Sequence, residues 1–177
     1  MKYTFTYFLI LWSLATQSQY KPTNLGSTIE FKVKNFGFEV KGSLSKIQGT
    51  LNFENKIPIS FDVIVNVNTI NTGIGMRDRH LKGEEYFNAQ QYPFIHFIST
   101  KINESVKKGT YIVSGILTIK NKSQNISFPF SVLPVEEGFV LNGNFKINRK
   151  DFGIGNSGVI SNSVEVMLNI QAKKSNE

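Results

Sequence analysis

The 177-residue sequence contains no cysteine, one tryptophan, two histidines and aspartate at three positions only, Asp62, Asp78 and Asp151. Without cysteine there are no disulfide scaffolds, thiolate zinc sites or cysteine nucleophiles, and no lipid attachment through an N-terminal cysteine, although this does not fix a compartment. His80 and His96 are 16 residues apart with few carboxylates nearby, so three or four converging metal ligands are not available and no metal site is expected. No G-x-S-x-G occurs, and the adjacent pairs Glu84-Glu85 and Glu136-Glu137 fall at helix or turn positions, where both carboxylates are solvated. No catalytic residue is therefore expected, and the chain is not read as an enzyme. Charged residues are also sparse at 19%, which together with the aromatic content makes disorder and coiled coils poor fits.

What is present is apolar and aromatic. Apolar side chains make up 40% of the chain and 15 residues are Phe, enough for the core of one domain but too little chain for a two-domain enzyme. The net charge is +7, and 17 of the 20 basic residues are Lys spread along the sequence. That pattern indicates a solvated surface capable of transient contact with an anionic membrane; a nucleic-acid groove is more often Arg-rich and clustered. Along the first strand the lysines and apolar residues fall on opposite faces, which argues against a base-stacking platform.

The start has the layout of a secretory leader: Met1-Lys2, an apolar stretch from Tyr3 to Ala15, then Thr16-Gln17-Ser18-Gln19. The stretch falls short of the ~20 residues that span a bilayer. Cleavage after Ala15 or after Ser18 fits the small-residue rule equally well. Residues 1–18 are thus expected to be removed, leaving a domain over 19–177 in a periplasmic or secreted location.

The remainder alternates apolar and polar residues, the period of a strand with one buried face. Ile29, Phe31 and Val33 begin the pattern; Phe36, Phe38 and Val40 continue it with switched parity, which predicts a bend or bulge at Asn35. Further runs carry Ile47, Leu51 and Phe53; Ile59, Phe61, Val63, Val65 and Val67; Ile95 and Phe97; Tyr111, Val113, Leu117 and Ile119; Ile126, Phe128, Phe130 and Val132; Phe139, Leu141, Phe145 and Ile147; and Val164, Val166, Leu168 and Ile170. The turn signals between them are short, so neighbouring strands are antiparallel. The alternation fails only over Asn71 to Tyr92, where Asp78 is a candidate N-cap for a short helix closing one end. Gly153-Ile154-Gly155-Asn156-Ser157-Gly158 matches G-x-G-x-x-G, but a strand follows where a dinucleotide site needs a helix, so it reads as a flexible loop at the rim. Eight strands, or nine if the first is split, with one apolar face each and one helical plug favour an all-β closed antiparallel barrel over a sandwich.

The segment Ile70-Asn71-Thr72-Gly73 through Met76-Arg77-Asp78-Arg79-His80-Leu81, with Tyr86-Phe87-Asn88 and Tyr92-Pro93-Phe94-Ile95-His96-Phe97-Ile98-Ser99, resembles the YceI-like family of bacterial polyisoprenoid-binding proteins. Ser27-Thr28-Ile29-Glu30-Phe31 with Val40-Lys41-Gly42, Tyr111 to Ile119, and Arg149-Lys150-Asp151-Phe152-Gly153-Ile154 agree in order. The resemblance implies an extended eight-stranded lipocalin-like barrel, export, and an apolar channel for a long isoprenoid such as a quinone tail or a similar amphiphile. Many members carry His where this chain has Gly26 and Asn35. No cofactor beyond such a lipid is expected. Packed core is the expected role of most inward residues. Those expected to line the channel and its mouth are Phe36, Phe38, Ile70, Ile74, Met76, Leu81, Tyr86, Phe87, Phe97, Phe152 and Ile154. Arg77, Asp78, His80, Arg149 and Asp151 are read as capping and charge-pairing residues that fix the plug to the rim. Two rivals stand beside the carrier: the same barrel with a filled interior, acting as a structural or stress-related interaction module, and a lipid head-group enzyme with His80 as base.

Overall fold

The computed structural model describes residues 17–156 and 158–175, so residues 1–16 of the expected leader lie outside it. Ten strand segments form one antiparallel sheet: β1 (Gln17–Pro22), β2 (Thr28–Asn35), β3 (Phe38–Leu44), β4 (Ile47–Glu54), β5 (Ile57–Asn66), β6 (Phe94–Glu104), β7 (Thr110–Ile119), β8 (Lys122–Val135), β9 (Gly138–Asn148) and β10 (Ile160–Lys174). β1 pairs with both β4 and β10, which closes the ring. β2 continues β1 along the same edge of β10, and β3 continues into β4, so the ten segments make an eight-stranded lipocalin-like barrel. Among the described residues, closure leaves β3 with a largely unpaired edge, tied to the rest by the Ser43–Asn71 bridge.

Tight turns set the register. The pairs Phe36-Gly37, Asn55-Lys56 and Lys120-Asn121 each join two strands with positive φ at both residues, the two-residue hairpin turn whose twist matches that of the strands. The parity switch around Asn35, read as a bend or bulge, is a full chain reversal that splits the first strand in two: Asn35 pairs with Phe38 across the turn. A bulge does occur where β4 meets β5, between Asn52 and Phe53. It turns Pro58 inward and leaves Ile59, expected to face the core, 37% exposed.

The helix α1 (Gly75–Lys82) forms within the interrupted region, as the lost alternation predicts, but Asp78 lies inside it and is not its N-cap. Asp78 instead accepts from the backbone N–H and hydroxyl of Thr72, at 2.8 and 2.5 Å. Those hydrogen bonds, the hydroxyl one foremost, hold its carboxyl below the ordinary value of 3.8. Arg77 donates from Nε to Thr72 Oγ1 and from Nη2 to Thr72 O, both at 2.8 Å, so the helix is locked to the segment before it.

The two ends of the barrel are filled differently. At the end that carries the β4–β5 turn, Phe53 stacks on Phe139 with ring centroids 4.2 Å apart, and Tyr20 meets both edge-on at 5.1 and 4.8 Å. Phe61, Phe130 and Tyr111 add a further aromatic layer. This cluster is a solid floor of large rings in favourable offset and edge geometries. At the helical end, α1, the loop through Tyr86 and Phe87, and a 3-10 turn at Arg149–Phe152 cover the barrel without filling it.

Candidate functional site: an apolar cavity under the helical cap

Between floor and cap lies a cavity of about 370 Å³, within the ~300–1,000 Å³ of small-molecule pockets. Its walls are the inward faces of the strands: Ile29, Phe31 and Val33 from β2, Val63 from β5, Ile126 and Phe128 from β8, Phe145 from β9, and Val164, Leu168 and Ile170 from β10. Each occupies an alternate position of its strand, which is how a period-2 sequence gives a hydrocarbon lining without any special motif.

Polar side chains reach this lining at the helical end, where Asn35, Arg77, His80 and Arg149 contribute. Arg149 is 3% exposed. It donates from Nη1 to the carbonyls of Ile154 and Gly155, both at 2.6 Å, from Nη2 to Ile160 O at 2.8 Å and from Nε to Ser161 O at 3.0 Å. One guanidinium thereby ties Ile154 and Gly155 of the glycine-rich segment to Ile160 and Ser161 at the start of β10. Ser157 lies outside the described residues. Gly155 has φ +62°, and a Cβ there would come within 2.8 Å of the Tyr86 ring, so only glycine permits this approach. Its N–H donates to Glu85 O at 2.9 Å, tying the loop to the cap.

Asn35 differs from the others in that its Oδ1 is buried with no hydrogen-bond partner. An unsatisfied buried acceptor beside an apolar space costs free energy until a donor reaches it. His80 has its side chain 67% exposed while lining the cavity, so the space reaches solvent beside α1. Its ring stands edge-on to Tyr86, and its Nε2 is 3.9 Å from a Glu85 oxygen. Asp151 accepts from Asn148 Nδ2 at 2.9 Å, within its own turn.

Of the residues expected to line the channel, Leu81, Tyr86, Phe87, Phe97 and Ile154 are in its wall. Ile70 and Phe152, 3% and 1% exposed, are packed in the core that supports the cap. Phe36, Phe38, Ile74 and Met76 stand outside the lining, exposed on the rim. Apart from Phe97 on β6, sequence reasoning did not single out the strand-borne wall. Its inward parity was visible, but parity does not say which inward residues face the void and which the aromatic floor. His96 lies on the outer face, with Nε2 2.7 Å from Asp62 Oδ1. Among the described residues, no group of three or more His, Asp or Glu is placed to hold a metal ion.

Comparison with known proteins gives a consistent result. Residues 20–172 match the family model of the YceI-like domain. A UPF0312 protein of Yersinia enterocolitica is 29% identical over 171 residues, covering 89% of this chain and 87% of its own length. The crystal structure of Burkholderia cenocepacia BcnA superposes with a TM-score of 0.75 at 22% identity, over 81% of this chain and 94% of that one. A structure described as a polyisoprenoid binding domain from Saccharophagus degradans, implicated in plant cell wall breakdown, gives a TM-score of 0.71 at 14% identity, over 88% and 98% of the two chains.

Proposed function

We propose, from the premise that this chain belongs to the YceI-like family, that it is an exported carrier or sequestering protein for a long-chain isoprenoid or similar amphiphilic lipid. The observation that carries this reading is the cavity: enclosed by hydrocarbon, floored by aromatic rings, and polar mainly at its helical end. Such a container holds a ligand tail-first, with the head group near Asn35, Arg77 and His80. The description of the Saccharophagus domain as polyisoprenoid binding supports the same class of ligand. Export rests on the leader layout of the first 18 residues. β1 begins at Gln17, paired with Glu54, so cleavage after Ala15 leaves that strand whole.

The energetics suit binding without chemistry. An isoprene chain offers almost no hydrogen bonds, so it is held by removal of apolar surface from water, about 0.8 kcal/mol per CH₂. Burial of ~12 such groups would contribute roughly 10 kcal/mol before the several kcal/mol lost to association and ordering. His80, the base that a head-group enzyme would need, contacts Tyr86 and Glu85 and no serine or threonine hydroxyl among the described residues. A filled-interior module has no use for the void.

Titration of delipidated protein with a fluorescent farnesol analogue tests the proposal. Saturable one-to-one binding is expected, with competition by unlabelled prenols strengthening at least tenfold for each added isoprene unit until the cavity is full. Binding that does not saturate, or competition indifferent to chain length, would contradict it.

A further inference from the structure

The β2–β3 hairpin contributes Val33, Asn35 and Val40 to the cavity wall and α1 contributes Arg77 and His80; the exposure of His80 puts the mouth on the α1 side. Large apolar side chains crowd the outer side of this mouth. Phe36 and Phe38 are 70% and 78% exposed, Ile74 and Met76 are 52% and 74%, and Val159 is 44%. They sit on joined pieces of chain. Phe36 N donates to Val159 O at 3.1 Å, and Ile74 and Met76 follow Asn71, which is bridged to Ser43 at the far end of β3 by reciprocal hydrogen bonds of 2.8 and 3.0 Å.

None of the five belongs to a core cluster, so the fold does not explain them. Phe36 is the least economical choice. It has φ +49° at a turn position where Asn, Asp or Gly is usual, while the two other turns of this type use Asn55-Lys56 and Lys120-Asn121. An aromatic ring placed there, against local preference and in full view of solvent, points to a partner outside the chain. Lys34 and Lys41 lie on the hairpin and Arg79 and Lys82 on α1; of the carboxylates on the same segments, Glu39 pairs with Lys41, Asp78 accepts from Thr72 and Glu85 lies near His80. The chain as a whole carries +7.

We propose that the hairpin tip and the start of α1 form a docking edge that inserts into the interface of an anionic lipid bilayer, setting the cavity mouth against the membrane. This rests on a lipid cargo, and it gives that cargo a path between bilayer and barrel that does not cross water. Apolar tips ringed by cations are the chemistry of peripheral insertion: rings enter below the head groups while lysines and arginines meet their charge.

Vesicle co-sedimentation with the leaderless protein tests this, using phosphatidylcholine alone and an equal mixture with phosphatidylglycerol. The variant Phe36→Asn/Phe38→Thr/Met76→Gln uses residues suited to the turn, strand and helix concerned, so folding is retained. Leu133→Thr/Val135→Thr removes exposed apolar residues from the opposite end. The wild-type protein is expected to prefer the anionic vesicles, the rim variant to lose at least tenfold in partitioning, and the distal variant to match wild type. The rim variant should still bind the farnesol probe in solution yet take it from vesicles at least tenfold more slowly. Absence of vesicle binding by the wild type, equal partitioning of all three proteins, or a wild-type dimer that the rim variant dissociates would each overturn the docking edge. Failure of the probe to bind the wild type would instead remove the cargo, leaving sedimentation to read docking alone.

Discussion

Replacement of Arg149 by methionine is expected to destabilise the protein by about 3–5 kcal/mol, a large part of the ~5–15 kcal/mol that holds a domain of this size together. The side chain is almost fully enclosed, and its guanidinium serves four carbonyls of the 154–161 loop at 2.6–3.0 Å. Methionine keeps an unbranched apolar stem but is shorter and donates nothing, so the carbonyls of Ile154 and Gly155 lose their donor in a buried setting. Each such loss costs about 1–3 kcal/mol. Arg149→Lys recovers only part, because an ammonium cannot span both sides of the loop as the planar fork does. Thermal unfolding should show the methionine variant melting roughly 6–20 °C below wild type, with lysine between them. A melting temperature unchanged by methionine would mean that water satisfies the loop and that the arginine is dispensable to the cap.

The second large effect is on binding. Leu168→Trp places an indole in the cavity wall, next to Ile29 and Gly143 on the neighbouring strands. If the space is a void kept for cargo, the ring enters it at little cost: stability stays within about 1 kcal/mol of wild type or rises, while affinity for the farnesol probe falls at least a hundredfold. If the interior were close-packed, the same substitution would overpack it and cost about 1–3 kcal/mol. Leu133→Trp, on the exposed face of β8, is the control and should leave both quantities unchanged. Loss of stability with unchanged probe binding would favour the filled-interior module over the carrier.

The architecture was legible because alternation is a local code. Phe61 and Val65, or Val113 and Leu117, fall on the inner face by counting residues, and eight such strands with short turns leave few ways to bury that face. The misreadings came where one residue changes parity. Asn35-Phe36-Gly37-Phe38 reads as a bent or bulged strand because phenylalanine is an uncommon residue at positive φ, yet the chain reverses there. Ile59 was expected to face inward because nothing in the sequence marks the bulge opposite Asn52 and Phe53 except Pro58. At the site, the motif-rich region draws attention to Leu81, Tyr86, Phe87 and Ile154 as candidates for the channel and its mouth, and these four line the cavity. The hydrophobicity that suggested Phe36, Phe38, Ile74 and Met76 as lining is real but faces outward, and hydropathy does not distinguish a tunnel wall from a rim. Arg149 was assigned a structural role of the right kind, although its partners are backbone carbonyls and its near-complete burial had no local signal.

The account depends on the cavity being occupied by a lipid in the protein's own setting. Native mass spectrometry of the intact protein, purified without detergent from the host that makes it, tests this most directly. The prediction is an added mass of one isoprenoid or comparable long-chain amphiphile in near-stoichiometric amount, released on collisional activation and absent from Leu168→Trp. A spectrum showing only the bare polypeptide, or a lipid retained equally by Leu168→Trp, would contradict it.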